Sequence, residues 1–474
     1  MGIVIKQSFF NSINSYIGIA LGAFNTIFFF PFVFAEQPEF MGEIQTMLAL
    51  ATVISTFAHF GLPVSLVTYF PRFNQQQQEA FWRFALVLVF ASSFFLAVLA
   101  LLWPWWGGVD FEKQGALLVS ISMLLYELFA ALAQYHGSVI FSQFVKNVFR
   151  RLIVLGALIT AYFSEDKQLY FYWVFAAGYL FHLVLMVFSA RKFWPALKSG
   201  LRHLALKEVS TYGLFVMLAS GAVLLVSKID VLMIRQLLGK EEVAFYSIAF
   251  FIGSVVSVPV RSIIVSVRPI LSKAYARSDW EEITSIYRKS AIAQLSLTAL
   301  ALLFIWANLP LLFVFQQEQY QFAGAHWVVL AIAFGEVVAG ATGANGLILT
   351  VSNHQRYNFY TGIVLILLTV LGNYLLIPVF GLVGAAIASA LALSLFNIIK
   401  TIAVSKLFSI QPFSKTYWRT FGLFVFTLAV LIFLRSTLPS VWWFVVASNL
   451  ILLAIIALIW LRLGGLSGFK KLLS

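Results

Sequence analysis

Apolar runs of about twenty residues or more recur along nearly the whole chain, separated by short polar turns. A helix needs about 20 apolar residues to cross the hydrocarbon of a bilayer. Inside lipid the backbone must satisfy its own hydrogen bonds, which leaves helices or closed barrels. Barrel strands would be about ten residues long and would alternate in polarity. These runs are longer and apolar on every side, so they read as helices. Composition agrees: of 474 residues, 61% are hydrophobic and 10% charged, against about a quarter charged in soluble domains. A chain this poor in charge cannot cover its own surface with polar groups. The expected fold class is therefore all-α, a polytopic membrane protein of about 14 transmembrane helices.

The expected spans are 8–34, 42–70, 82–106, 114–135, 141–163, 168–190, 209–238, 244–272, 284–315, 324–352, 357–379, 381–408, 416–436 and 440–462. Val33, Phe34 and Ala35 imitate a signal-peptidase site. The run before them is long, rich in Phe and opened by polar residues, so span 1 is expected to be retained. The absence of cysteine excludes disulfides and thiolate metal sites. The net charge of +13 is dispersed through short loops, a pattern that orients a protein in a membrane and does not bind nucleic acid.

With the N-terminus in the cytoplasm and the spans alternating, 24 Lys and Arg fall on the cytoplasmic side and 5 on the other. Lys146, Arg150 and Arg151 are counted among the 24; Lys113, Lys167, Arg235, Lys240 and Arg435 are the 5. An odd number of spans would destroy this asymmetry, so both termini are expected in the cytoplasm. The basic loop 191–208 separates an N-terminal lobe (1–190, spans 1–6) from a C-terminal lobe (209–408, spans 7–12), and residues 409–474 hold spans 13–14 and a tail.

The two lobes resemble each other at an offset near 205. Asn25 in span 1 aligns with Asp230 in span 7, and Pro63 and Pro71 of span 2 answer Pro259 and Pro269 of span 8. Repeats that start on the same side after six helices are parallel repeats, and such halves enclose a central cavity.

Two stretches resemble a known family. Residues 373–389, from Asn373 and Tyr374 through Pro378, Gly381 and Gly384 to Ser389, are similar to the signature of spans 11–12 in polysaccharide flippases. Residues 228–234, followed by Val243, Ala244, Phe245, Tyr246 and Ser247, resemble their span 7–8 junction. The resemblance implies the MOP superfamily, and within it the flippases of O-antigen or capsule repeat units. It implies two six-helix lobes around a lumen, two appended helices, and undecaprenyl-diphosphate-linked oligosaccharide as cargo. The implied partners are that polyprenyl-diphosphate-linked glycan and membrane lipid, with contact to polysaccharide polymerase or export machinery left open. No cofactor, no metal and no catalytic residue is expected.

A charge at the centre of a membrane helix costs about 2.5–3.5 kcal/mol on insertion scales. Glu127, Lys228, Asp230, Arg261 and Glu336 are such charges, and His59 and His182 are weaker cases. Lys228 and Arg261, with Asp230, Asn25 and His59, are the expected lumen residues: cations there would pair with diphosphate oxygens. The alternative is structural, an Asp230–Arg261 salt bridge that fixes span 7 against span 8. Glu127 and Glu336 are the expected ion-coupling residues, with plain interhelical hydrogen bonding as the alternative. Glycines 335, 340, 343 and 346 of span 10 suggest close helix packing. Residues Gln75 to Gln78 read as a loop tip, and Trp103, Trp105, Trp106, Trp442 and Trp443 as an interfacial belt.

Rival functions are a lipid-linked peptidoglycan-precursor flippase, a drug or cation antiporter of the same superfamily, and a membrane glycosyltransferase or polymerase. The short loops hold no converging acids or bases, which counts against the enzyme.

Overall fold

The computed structural model describes residues 2–108, 110–314, 317–320, 322, 324–352, 354–438 and 440–462. In chain order the helices are α1 (Gly2–Ala23), α2 (Phe30–Val33), α3 (Pro38–Ala58), α4 (Leu62–Tyr69), α5 (Gln75–Gly107) and α6 (Phe111–Tyr135). There follow α7 (Val139–Phe144), α8 (Arg150–Tyr162), α9 (Lys167–Ala190), α10 (Leu206–Leu237), α11 (Lys240–Ser254) and α12 (Val258–Ala276). The last six are α13 (Trp280–Val314), α14 (Ala325–Ala341), α15 (Asn345–Val351), α16 (Gln355–Phe408), α17 (Lys415–Thr437) and α18 (Val441–Arg462). No strand occurs among the described residues. The expected spans correspond to single helices, to broken pairs or, for spans 11 and 12, to the two halves of α16. Nine helices among the described residues are long and apolar enough to cross a membrane, or ten if the bent pair is one span, so this is an all-α multi-pass membrane protein.

The breaks have local causes. Spans 1 and 5 each contain a π turn, at Phe24–Phe29 and at Val145–Phe149. Span 2 breaks between α3 and α4 where Phe60 and Gly61 take positive φ. Span 8 breaks in the 3-10 turn Val255–Ser257, just ahead of Pro259, whose missing N–H cannot serve an α-helix passing through. Span 10 bends by 48° between α14 and α15. Spans 11 and 12 run on as α16 and turn at Gly381, whose φ of 57° and ψ of −134° are open to glycine alone at little cost.

The chain forms two compact units. Unit 1 comprises Met1–Ile248, Gln317–Tyr320 and Gly362–Ala385; unit 2 comprises Ala249–Gln316, Gln321–Thr361 and Ala386–Ser474. α10, the seventh span, therefore packs with the first six. Unit 1 is cored by Trp82, Phe81, Tyr126, Phe129 and Leu66, all buried. Unit 2 has its own core around Tyr287, Leu271, Ile348 and Val404.

Two sequence features gain a structural meaning. The residues that imitate a cleavage site are built into unit 1: Phe34 is buried among Phe30, Phe40 and Phe171, and its carbonyl accepts from Tyr320 Oη at 2.9 Å. Lys167 Nζ donates to the Val33 carbonyl at 3.0 Å. The glutamine run is no mere loop tip. Asn74 and Gln77 form a reciprocal capping box at the start of α5, and Gln78 Nε2 donates to the Phe70 and Phe73 carbonyls. The glycines of span 10 pack as expected, with Gly335 against Ala390 and Gly340 against Thr298. Trp105, Trp442 and Trp443 are exposed and Trp103 is half-buried; the Trp106 side chain lies outside the described residues.

Candidate functional site

The charged residues of unit 1 sort into those that neutralise each other and those that do not. Glu127, in α6, lies 2.8 Å from Lys146 Nζ and 3.9 Å from Arg150 Nη2. Lys146 and Arg150 are four residues apart, so the turn of span 5 presents both to one carboxylate. Arg150 also spreads over the Tyr126 ring, and its Nε donates to His182 Nε2 at 3.2 Å. His182 is fully buried, stacked on Tyr126, and so serves as an acceptor inside the helix bundle. Tyr126 Oη in turn donates to the Ser142 carbonyl.

This corrects the placing of Lys146 and Arg150 among loop cations. Both sit half-exposed or half-buried within a span, where a paired carboxylate offsets the cost of their charge. The positive-inside asymmetry survives their removal.

The next residue along, Arg151, is different. It is exposed although it lies within span 5, and it has no carboxylate partner among the described residues. Its backbone carbonyl is held by Asn25 Nδ2 at 2.8 Å, a bond between the helices that carry the two π turns. Asn25 itself is buried and does that holding, which leaves its Oδ1 without a partner.

Lys228, twenty-two residues into α10, is half-buried and likewise has no carboxylate partner among the described residues. The charge that acts on it is a second cation, the Arg151 guanidinium. His59 caps α3 at the break in span 2, where its Nδ1 accepts from the Gly61 N–H at 3.1 Å. Two unneutralised cations in one unit are the chemistry of an anion site.

Asp230 is two residues past Lys228 and points elsewhere. Its carboxylate accepts from Tyr246 Oη at 2.6 Å and from Asn373 Nδ2 at 2.8 Å. Two neutral donors on α11 and α16 thus hold the acid inside unit 1, where the structural alternative to the lumen reading paired it with Arg261. In unit 2, Arg261 is exposed and donates to Ser257 Oγ at 3.3 Å, one turn back across the span 8 break. Glu336 is half-buried and has no hydrogen-bond or ion-pair partner among the described residues; Arg261 is the cation whose charge reaches it. No group of three or more metal-ligating side chains occurs among the described residues.

The sequence reading missed Arg151 as an open cation and Tyr246 and Asn373 as the ligands of Asp230. The signal for Glu127 was present in the i, i+4 spacing of Lys146 and Arg150.

The architecture places the chain in a class: multi-pass membrane proteins with the fold of MOP superfamily transporters. The MatE family model matches residues 216–375. Among solved structures, the lipid II flippase MurJ in an inward closed conformation matches with a TM-score of 0.73 at 13% identity, covering 96% of this chain and 99% of that one. An inward-facing multidrug resistance MATE transporter of the MOP superfamily matches at 0.57 and 12% identity, covering 84% and 94%. A MOP superfamily transporter from Pyrococcus furiosus matches at 0.53 and 14%, covering 85% and 96%. No curated protein matches by sequence.

Proposed function

We propose that this protein is a flippase that moves polyprenyl-diphosphate-linked oligosaccharide units across a bacterial inner membrane for surface polysaccharide synthesis. The observation that carries this reading is the pair Lys228 and Arg151, two in-span cations with no carboxylate partner among the described residues. A cation in hydrocarbon is costly unless it faces water or an anion, and a diphosphate supplies charge for both through charge-assisted bonds. Arg261, exposed within span 8, is a third cation for the head group on its way. Glu336 is the residue assigned to ion coupling, because Glu127 is already occupied by Lys146 and Arg150. Both termini are assigned to the cytoplasm on the Lys and Arg asymmetry.

A second reading keeps the chemistry and changes the cargo to a lipid-linked peptidoglycan precursor. Its support is the match to the lipid II flippase, which covers 96% of this chain against 84% for the MATE transporter. The same coverage argues against a drug exporter.

The test is flipping in proteoliposomes that hold fluorescent polyprenyl-diphosphate glycans, read as exposure in the outer leaflet. Lys228→Gln with Arg151→Gln should reduce flipping at least tenfold while the folded protein persists. Flipping at the unaltered rate in that double variant overturns the assignment. A preference for a muropeptide-bearing lipid over other glycans selects the second reading.

A further inference from the structure

Lys400 lies in the second half of α16, eight residues before Phe408, and belongs to unit 2. Its ammonium has no carboxylate partner among the described residues. It rests over the Phe396 ring, one turn back, 3.8 Å from the ring centre. It also overhangs Gly346 on α15: a Cβ built at Gly346 would stand 3.3 Å from Lys400 Nζ.

The same point is 3.7 Å from Asn358 Oδ1, on the first half of α16. The orientation of Asn358 is fixed, because its Nδ2 donates to the Gly346 carbonyl at 3.1 Å and to Thr350 Oγ1 at 3.0 Å. That commits Oδ1 to the side of Lys400, where it is buried and receives no hydrogen bond. Leaving such an acceptor unpaired costs about 1–3 kcal/mol. A cation without an anion and an acceptor without a donor thus both lie within 4 Å of the point where a Gly346 side chain would stand. They are not bonded to each other.

We propose that Lys400, Asn358 and Gly346 form a ligand subsite for an anion that carries a hydroxyl beside it, the chemistry of a hexuronate or a sugar phosphate. The acid oxygens pair with Lys400 Nζ and the neighbouring hydroxyl donates to Asn358 Oδ1. Gly346 is required because a methyl group would occupy the place of the ligand. The subsite deepens the saccharide reading above and rests on it for the natural ligand, but it makes its own prediction for binding. An ordinary apolar drug satisfies neither group.

The experiment is calorimetric titration of the full chain in detergent with three soluble probes: glucuronate, glucose and inorganic phosphate. Glucuronate should bind saturably, and Lys400→Gln should weaken it at least tenfold while Lys400→Arg retains it. Glucose, which lacks the acid, should bind far more weakly. Gly346→Ala keeps the charge and crowds Lys400 Nζ, so it should weaken binding as much as Lys400→Gln, and it guards against loss of fold in that variant. Phosphate binding that depends on Lys400, without glucuronate binding, also supports the subsite and assigns its anion to phosphate. Absence of any binding that depends on Lys400 and Gly346 overturns the proposal, and Lys400 is then a strut over Phe396. Because no flipping is measured, failure of every lipid-linked cargo in proteoliposomes would remove the transport reading and leave this result standing.

Discussion

Lys240 stands 2.7 Å from the Glu43 carboxylate at a point where the backbones of α3 and α11 touch. A Cβ added to Gly42 would fall 1.7 Å from the Lys240 carbonyl oxygen. The glycine and the ion pair act together: one lets the chains meet and the other holds them. Gly42→Ala must therefore push the start of α11 off α3, at a cost of about 1–3 kcal/mol for overpacking. Thermal melting of the detergent-solubilised protein reads this, and an unchanged midpoint would show that the two chains part without penalty.

A second clasp, between α10 and α6, is Arg235 with Glu112, at 2.9 Å, the glutamate nearly buried and the arginine about a third exposed. A hydrogen bond to a charged group contributes about 1.5–3 kcal/mol, and the exposure of Arg235 places this one toward the lower figure. Glu112→Gln should lower the melting midpoint, and Arg235→Gln should add little to it in the double variant. Additive losses would mean that the pair is not coupled.

Asp230 is held by Tyr246 and Asn373. Asp230→Ala strands both donors, at about 1–3 kcal/mol each. Tyr246→Phe removes one donor and leaves the acid with Asn373, so it should cost less than Asp230→Ala. Equal melting of the two variants would refute the view that the acid organises this contact among α10, α11 and α16.

Glu127 and Glu336 should part company in their response to an ion gradient. Glu127→Gln breaks the link to Lys146 and Arg150 and should lower stability, with transport still responding to a proton gradient. Glu336→Gln removes an acid with no partner among the described residues, and it should abolish that response while the protein stays folded. Gradient-dependent transport by Glu336→Gln would sink the coupling assignment.

α18 is tied to α13 by a reciprocal amide pair: Asn308 Nδ2 donates to Asn449 Oδ1 at 3.2 Å, and Asn449 Nδ2 donates back at 3.0 Å. Such bonds between membrane helices are worth about 0.6 kcal/mol by double-mutant cycles. Either single leucine variant should cost more than the pair of leucines, because a single change strands one amide. Additive single and double losses in melting would show that the two amides do not act as a unit.

The helical spans were legible in the sequence because lipid imposes a strong rule: every run must be apolar and about twenty residues long. Even the turn at Gly381 follows from the sequence once the segment is read as two spans. The in-span charges were legible for the same reason, since each stands out against an apolar background. Their partners were not. Asp230 looked as if it should pair with Arg261, because formal charge is visible in a sequence and Tyr246 and Asn373 carry none. Gln78 looked idle because a side chain that caps backbone carbonyls at Phe70 and Phe73 has no pattern of its own. Lys146 and Arg150 looked like orienting loop charges because the acid that buries them sits in another span.

What the sequence determined by itself is the solvent, the helical spans, and the short list of residues too polar for lipid. Hydropathy acts residue by residue along the chain, so it can be read without the fold. Only the tertiary structure decided which of those polar residues are spent on each other and which remain open. Glu127 is used up by two cations while Lys228 and Arg151 meet no acid among the described residues, and that difference depends on distances between helices far apart in the chain. Hydrogen bonds and close ion pairs form only at contact distance and in the right direction, so packing alone assigns them.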